Sequence, residues 1–366
     1  MSETTGQTIP TSTTARLMNN CDRSQWDAFV STAQTGHVHQ SWDWGEVRRD
    51  EHIDVLRIAI FADGNIRAAA QLTLHRLARR LPWRIGQVPR GPVCDHNPDR
   101  YLPILFRELA RIGQTQHCLF IRVEPRFLES SLAHRQALQQ SGLVPSRASI
   151  FHRHTAIVDL RPTEHQLLTA MHRDTRYNLR AAQKAGVQVR EGSSLADLQI
   201  FHTLLTDTAR RQHFYARPYA FFARLWQVLA PHGEARLFLA EYHGQPVAAN
   251  LALVYGTTGY YAYGASTSTL PLTPDGKRLR GAPVLLQWET IRALRAAGCQ
   301  TYDLWGVCGP DDPPDHPWRG FTEFKMGLGA TLESYVGTFD LPLHPTWQRL
   351  FETANRWRWQ WLNRHH

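Results

Sequence analysis

Apolar, β-favouring runs broken by turn residues occur twice in the chain in the same arrangement. Residues 55–61 and 66–74 flank Ala62-Asp63-Gly64-Asn65, and an Asp-Gly pair between two such runs predicts a hairpin. Residues 236–242 and 247–255 flank His243-Gly244-Gln245-Pro246, and a further strand is expected at 259–263. Each hairpin is followed, after a loop, by helical periodicity and then a strand-like run: 102–112 then 118–123, and 283–297 then 301–305. The two helices are expected to close at Ile112-Gly113 and Ala297-Gly298, where glycine suits a left-handed C-cap. The order recurs after roughly 180 residues, far beyond a solenoid period, so it predicts a duplicated domain.

Between the two arrangements the pattern is helical. Residues 164–185 read as one helix or two, opened by Pro162-Thr163 and stopped by Gly186, with further helices at 195–208 and 218–230. In the tail, 345–366, Trp347, Leu350, Phe351, Ala354, Trp357, Trp361 and Leu362 share one broad helical face. That face suits either a helix capping the core or one lying at a membrane surface, with Arg349, Arg356 and Arg358 elsewhere on it. No stretch carries the sustained heptads of a coiled coil. The expected division is 1–15 without structure, 16–150 as a first domain, 151–330 as a second, and 331–366 as a closing segment. A hairpin followed by helix and strand is the order of the GCN5-related N-acyltransferase fold, so the fold class expected is α+β with two tandem domains of that kind.

Composition narrows the function classes. The 366 residues are 42% hydrophobic and 20% charged, enough to build cores. Lys plus Arg exceeds Asp plus Glu by 41 to 32, a balance that favours polyanionic partners. The five cysteines form no CxxC pair, so neither a disulfide framework nor a zinc site is expected. His37-x-His39 and His152-x-His154 lack a third ligand nearby, and no metal or cofactor is predicted. The N-terminus has no apolar core of a signal peptide, and no run approaches the ~20 apolar residues of a membrane span. A cytoplasmic protein is expected, with peripheral contact to the inner membrane face through the tail as an option.

Four stretches carry candidate chemistry. Arg173, Arg176, Arg180 and Lys184 recur at steps of three and four on one helix face, as a solvated stripe or a row that meets phosphates or tRNA. Arg211 and Arg217 stand among aromatics in 208–222, where guanidinium forks and rings suit a nucleoside diphosphate. Strand alternation puts Tyr261 and Tyr263 on one face, as core or as phenols lining a ligand. Asp303 ends a strand and opens a loop holding four prolines with Asp311, Asp312 and Asp315, before Phe324-Lys325. A loop of that length inside a domain is usually functional, and a desolvated Lys325 could stabilise an oxyanion, with Asp303 or the loop acids accepting a proton. Arg278-x-x-Gly281-Ala282-Pro283 approaches an acyl-CoA loop, but proline stands where glycine or alanine is needed. No GxSxG elbow, P-loop or GxGxxG is present.

Over roughly residues 20–345 the chain resembles the Fem family of peptidyl transferases, which build peptidoglycan cross-bridges. The motifs are Gln40-Ser41-Trp42-Asp43-Trp44-Gly45-Glu46-Val47-Arg48, Asn178–Val187, Arg211-x-x-Phe214-x-x-Arg217, Tyr261-x-Tyr263-Gly264, Tyr302-Asp303-x-x-Gly306 and Phe324-Lys325. The resemblance implies aminoacyl-tRNA as donor and UDP-MurNAc-pentapeptide or a lipid-linked precursor as acceptor. It also implies acceptor contacts from Arg48, Arg217, Tyr261 and Tyr263, with Lys325 near the aminoacyl ester. Arg48 stands where the family usually has lysine. The coiled-coil arm of some members has no counterpart here, so the compact form is expected. An acyl-CoA-dependent N-acyltransferase, a tRNA-dependent transferase with another acceptor, and a tRNA- or membrane-binding module without turnover are the alternatives.

Overall fold

A computed structural model describes residues 13–344, apart from 50, 52, 79–80, 147, 270, 274–275 and 277. The expected tail helix, 345–366, lies outside the described residues. The chain divides into two units, one up to Phe151 and from Val336 onward, the other His152–Tyr335.

The first unit opens with β1 (Thr14–Leu17), which includes two residues of the stretch expected to lack structure. It continues through α1 (Arg23–Thr32), α2 (Trp42–Arg49) and the hairpin β2 (Asp54–Ala62) and β3 (Asn65–Arg76). Then come β4 (Arg84–Pro89), α3 (Pro98–Thr115), β5 (Cys118–Glu124), α4 (Leu132–Gln140) and β6 (Val144–Pro145). The second unit runs β7 (His154–Asp159), α5 (Glu164–Ala170), α6 (Arg173–Ala185), β8 (Gln188–Gly192), α7 (Leu195–Gln212) and α8 (Tyr219–Leu229). It closes with β9 (Ala235–Tyr242), β10 (Gln245–Tyr255), β11 (Thr258–Ser266), α9 (Ala282–Ala296), β12 (Thr301–Gly306), α10 (Arg319–Met326) and β13 (Thr331–Ser334). Finally β14 (Phe339–Pro342) pairs with β5 and β6 of the first unit.

Each unit is a seven-stranded mixed sheet, β1-β2-β3-β4-β5-β14-β6 in one and β13-β7-β12-β11-β10-β9-β8 in the other. In both, a hairpin leads to a strand that runs parallel to the strand after the crossover helix: β4 beside β5, and β11 beside β12. This is the α+β acyltransferase-like order expected from the sequence, twice over. The sequence reading passed over β4, because Gly86 and Pro89 weaken its strand signal. Gly86 is needed there: a Cβ would meet Ile121 at 2.8 Å and Leu72 at 3.0 Å across the layer.

One helix end also differs from expectation. Gly113 lies inside α3, which runs on to Thr115; its bare Cα lets Leu343 (2.5 Å from a would-be Cβ) and Ile121 pack close. Gly298, by contrast, has φ +86 and follows the end of α9. The stretch 164–185 is two helices: Thr163 caps α5 with a capping box, and α6 starts after a break at Met171-His172.

Alternation splits the second sheet's side chains between two faces. Phe238, Ala240 and Tyr242 join α9 and α6 residues such as Leu179, Ala182, Leu285, Trp288 and Ile291 in one core. On the other side Tyr263 meets Phe221 and Phe222 of α8, and Thr208 of α7 bonds the Ser266 backbone.

Candidate functional site

Parallel strands stay paired only while their twist and register agree, and here the two units differ. In the first, β4 follows β5 from Arg84 opposite Cys118 to Pro89 opposite Glu124. In the second, β11 and β12 pair over Thr258–Tyr260 alone, and beyond Tyr260 opposite Asp303 the ladder ends. Two local irregularities accompany the parting. On β10/β11 the register shifts so that Leu253 faces Tyr260 but Leu251 faces Tyr263, leaving one extra residue in β11. On β12 Trp305 takes a left-handed φ of +70, unusual for a bulky side chain.

The bulge corrects one expectation. Tyr261 and Tyr263 do not share a face, because the extra residue flips everything beyond it. Tyr263 lies edge-on to Phe222 at 5.0 Å, on the α7/α8 side. Tyr261 packs against the α9-side core and lies over Gly264, where a Cβ would strike its phenol. Burial pushes the Tyr261 phenol up to about 12, against an opposing hydrogen bond with Gln287 of α9.

Lys325, near the end of α10, is brought to this opening. It is only 9% exposed, its Nζ donates to the Gly306 carbonyl at 2.7 Å, and it stands 5.8 Å from the Tyr261 ring centroid. Burial lowers its pKa from 10.5 to about 8, with the Asp303 charge acting in the opposite direction. An ammonium so placed is a fixed, poorly hydrated cation, still largely protonated at neutral pH. Asp303 is itself buried, and its Oδ1 accepts from the Trp305 backbone N–H at 2.8 Å and from the Thr155 hydroxyl. Its bonds therefore hold the strand end, while its charge favours the ammonium form of Lys325. Phe324 packs on the α9-side core.

Behind Tyr261 runs a buried polar chain that sequence reasoning missed. The Tyr302 hydroxyl donates to Gln287 Oε1 (2.8 Å) and accepts from Asn250 Nδ2 (3.1 Å), which also donates to Thr290 Oγ1 (3.2 Å). Asn250 sits in the apolar run of β10, and Gln287 in that of α9. A polar residue inside an apolar run was the available signal.

Among the other expected residues, Arg173, Arg180 and Lys184 are exposed on α6. Arg176 departs from that row: its Nη1 donates to the Thr169 carbonyl at 3.0 Å and to the Met171 carbonyl, capping the end of α5. Arg211 bonds the Ser266 backbone and hydroxyl at 3.2 and 3.1 Å. Arg217 stacks over Phe221 at 4.3 Å. Arg48, in the first unit, pairs with Glu51, and its charge adds to the burial that pulls His75 down to about 4. Of these residues, then, Asp303, Tyr261 and Lys325 gather around the opening of the second sheet. The His-x-His pairs are taken up in packing: His37 lies edge-on to His39 at 4.9 Å, and His152 edge-on to Trp318 at 3.9 Å. Among the described residues one group, Cys308, Asp312 and His316, has metal-ligand chemistry at short range.

Sheet order and opening define a protein of two tandem N-acetyltransferase-like domains. Residues 170–326 match the acetyltransferase (GNAT) domain model, and a tandem GNAT protein from the clavulanic acid biosynthesis pathway superposes with a TM-score of 0.54 at 11% identity, over 91% of this chain and 99% of that one. Within that class the chain is similar to the Fem family: residues 21–143 match the FemAB family model. The crystal structure of FemX has a TM-score of 0.82 at 22% identity, covering 92% of this chain and 100% of that one. Lipid II:glycine glycyltransferase of Staphylococcus saprophyticus is 29% identical over 92% of this chain and 95% of its own length. The enzyme of the same name from Staphylococcus epidermidis is 23% identical over 91% and 94%. No described helix is long and apolar enough to cross a membrane.

Proposed function

We propose that this protein is an aminoacyltransferase that moves an amino acid from aminoacyl-tRNA to the stem-peptide amine of a peptidoglycan precursor. The observation that carries the reading is Lys325, a buried ammonium fixed by the Gly306 carbonyl where β11 and β12 part. The full-length likeness to proteins named lipid II:glycine glycyltransferase supplies the acceptor class.

The reaction asks little covalent chemistry of the protein. An amine attacks the carbonyl carbon of an ester already activated for transfer. A tetrahedral oxyanion forms, the C–O bond to the ribose breaks, and the amine proton leaves with the alcohol or through a base. Lys325 stabilises the oxyanion, and holding both substrates in line supplies the rest of the rate. Tyr261, stiffened by Gln287 and the core, forms the wall beside it. In this reading the exposed Arg173, Arg180 and Lys184 meet the phosphates of the donor, while Arg211, Arg217 and Tyr263 are assigned to the acceptor.

A specific contact disfavours the acyl-CoA alternative. A CoA diphosphate would use free N–H groups at a helix N-terminus. At Gly281, before α9, a Cβ would collide with the backbone carbonyl of Asn178, so a carbonyl oxygen already faces that turn.

The test is an in vitro transfer assay with lipid II or UDP-MurNAc-pentapeptide as acceptor. A panel of charged tRNAs is compared with acyl-CoA as donor and product mass is the readout. A mass gain of one aminoacyl residue with charged tRNA is expected. A gain from acyl-CoA alone would refute the donor.

A further inference from the structure

The loop between β12 and α10 contains a side-chain cluster that the transfer chemistry does not use. Cys308, Asp312 and His316 recur at steps of four, and one ligand atom from each lies within 4.8 Å of the other two. The Cys308 thiol is buried and its Sγ is 3.1 Å from His316 Nδ1. A short turn holds Asp312: its Oδ2 accepts from Gly309 N–H at 2.7 Å, and its own N–H bonds the Gly309 carbonyl at 3.3 Å. Backbone bonds also support His316, whose N–H donates to the Pro313 carbonyl at 3.0 Å. The three ligands are thus gathered by the loop's own turns.

We propose that this loop binds a zinc ion through Cys308, Asp312 and His316. One sulfur, one imidazole nitrogen and one carboxylate oxygen form a borderline-soft donor set that suits zinc rather than magnesium or calcium. Tetrahedral zinc with these ligands would separate sulfur and nitrogen by roughly 3.5 Å, a few tenths of an ångström more than the present thiol–imidazole bond. Binding exchanges the thiol proton for the metal: the S–H bond breaks, an S–Zn bond forms, and one proton goes to solvent. His316 Nδ1 now accepts from the Trp318 N–H at 3.1 Å as well, and that bond is released when the lone pair turns to the metal. A water fills the fourth position.

The consequence for the site is mechanical. Cys308 N–H donates to Thr322 Oγ1 of α10 at 2.9 Å, and two residues earlier Gly306 accepts from Lys325. A metal at Cys308 therefore stiffens the segment that holds the ammonium in place. The proposal stands on the loop alone and does not depend on the transfer reading.

The experiment uses the full chain after dialysis against a chelator, titrated with zinc and, for spectroscopy, cobalt(II). One bound equivalent, a thiolate-to-cobalt charge-transfer band, a higher Tm with zinc and slowed hydrogen exchange over residues 306–318 are expected. C308S should lose the band, and D312N and H316Q should weaken zinc at least about 10-fold, with circular dichroism unchanged. An absence of binding at micromolar zinc overturns the proposal. So does an unchanged cobalt spectrum in C308S, or exchange protection elsewhere, for example at the terminal histidine pair. If C308S fails to fold, H316Q and the exchange map of the unaltered protein decide the matter.

Discussion

Replacing Lys325 with Met separates catalysis from stability at one position. The ammonium is buried, and its pKa falls from 10.5 to about 8. That difference is worth about 3 kcal/mol of disfavoured charge at neutral pH, as an order of magnitude. Unfolded chains bind more protons than folded ones between about pH 8 and 10.5, so the unaltered protein gains stability as pH rises through that window. At pH 7 the penalty is present in full and Met removes it, while the loss of the Gly306 bond costs roughly 1–3 kcal/mol. K325M should therefore fold with a Tm near or above the original. Transfer should fall about 100- to 1000-fold, the typical effect of deleting one oxyanion donor. The pH–rate profile gives the sharper test. Its falling limb, near pH 8, should belong to Lys325 and vanish in K325M, leaving only the rising limb of the acceptor amine. Stopped assays with a charged tRNA and the precursor, run from about pH 6 to 10, read both limbs. A K325M rate within a few-fold of the original, or a falling limb that survives the substitution, would refute the oxyanion role.

Other residues yield further expectations. Gly264→Ala places a methyl against the Tyr261 ring, 2.5 Å from Cζ, so it should cost about 1–3 kcal/mol in thermal unfolding and lower kcat/KM as the ring is displaced. Asp340→Ala removes the buried partner of Arg122, bonded at 2.9 and 3.0 Å, and should destabilise by about 3–5 kcal/mol in denaturant titration without a matching loss of kcat. Arg180→Ala and Lys184→Ala, both exposed, should leave the Tm unchanged, weaken binding of charged tRNA and flatten its salt dependence. A salt slope equal to the original would remove α6 from the donor site.

Much of the fold was legible because its signals are local. The Asp63-Gly64 and His243-Gly244 turns, the alternating runs beside them and the helix after each are written in residues a few positions apart. The short motifs around Trp42, Tyr302 and Phe324-Lys325 carried the family in the same way. Strand β4 was missed because its glycine, read locally, weakens a strand; the reason for that glycine is Ile121, distant in sequence but adjacent in the sheet.

The site depended on contacts that no local pattern encodes. Period-two alternation put Tyr261 and Tyr263 together, and a single extra residue opposite β10 turned them to opposite faces. Lys325 is an ordinary lysine in sequence. Its lowered pKa comes from burial, and its position from the bond to the Gly306 carbonyl, nineteen positions away. Asn250, Gln287 and Tyr302 lie on three separate elements and form one hydrogen-bonded chain only when the sheet meets α9. The sequence by itself therefore determined which elements form and which family they resemble. Register, strand parting and desolvation are properties of packed neighbours, and only the tertiary structure decided them.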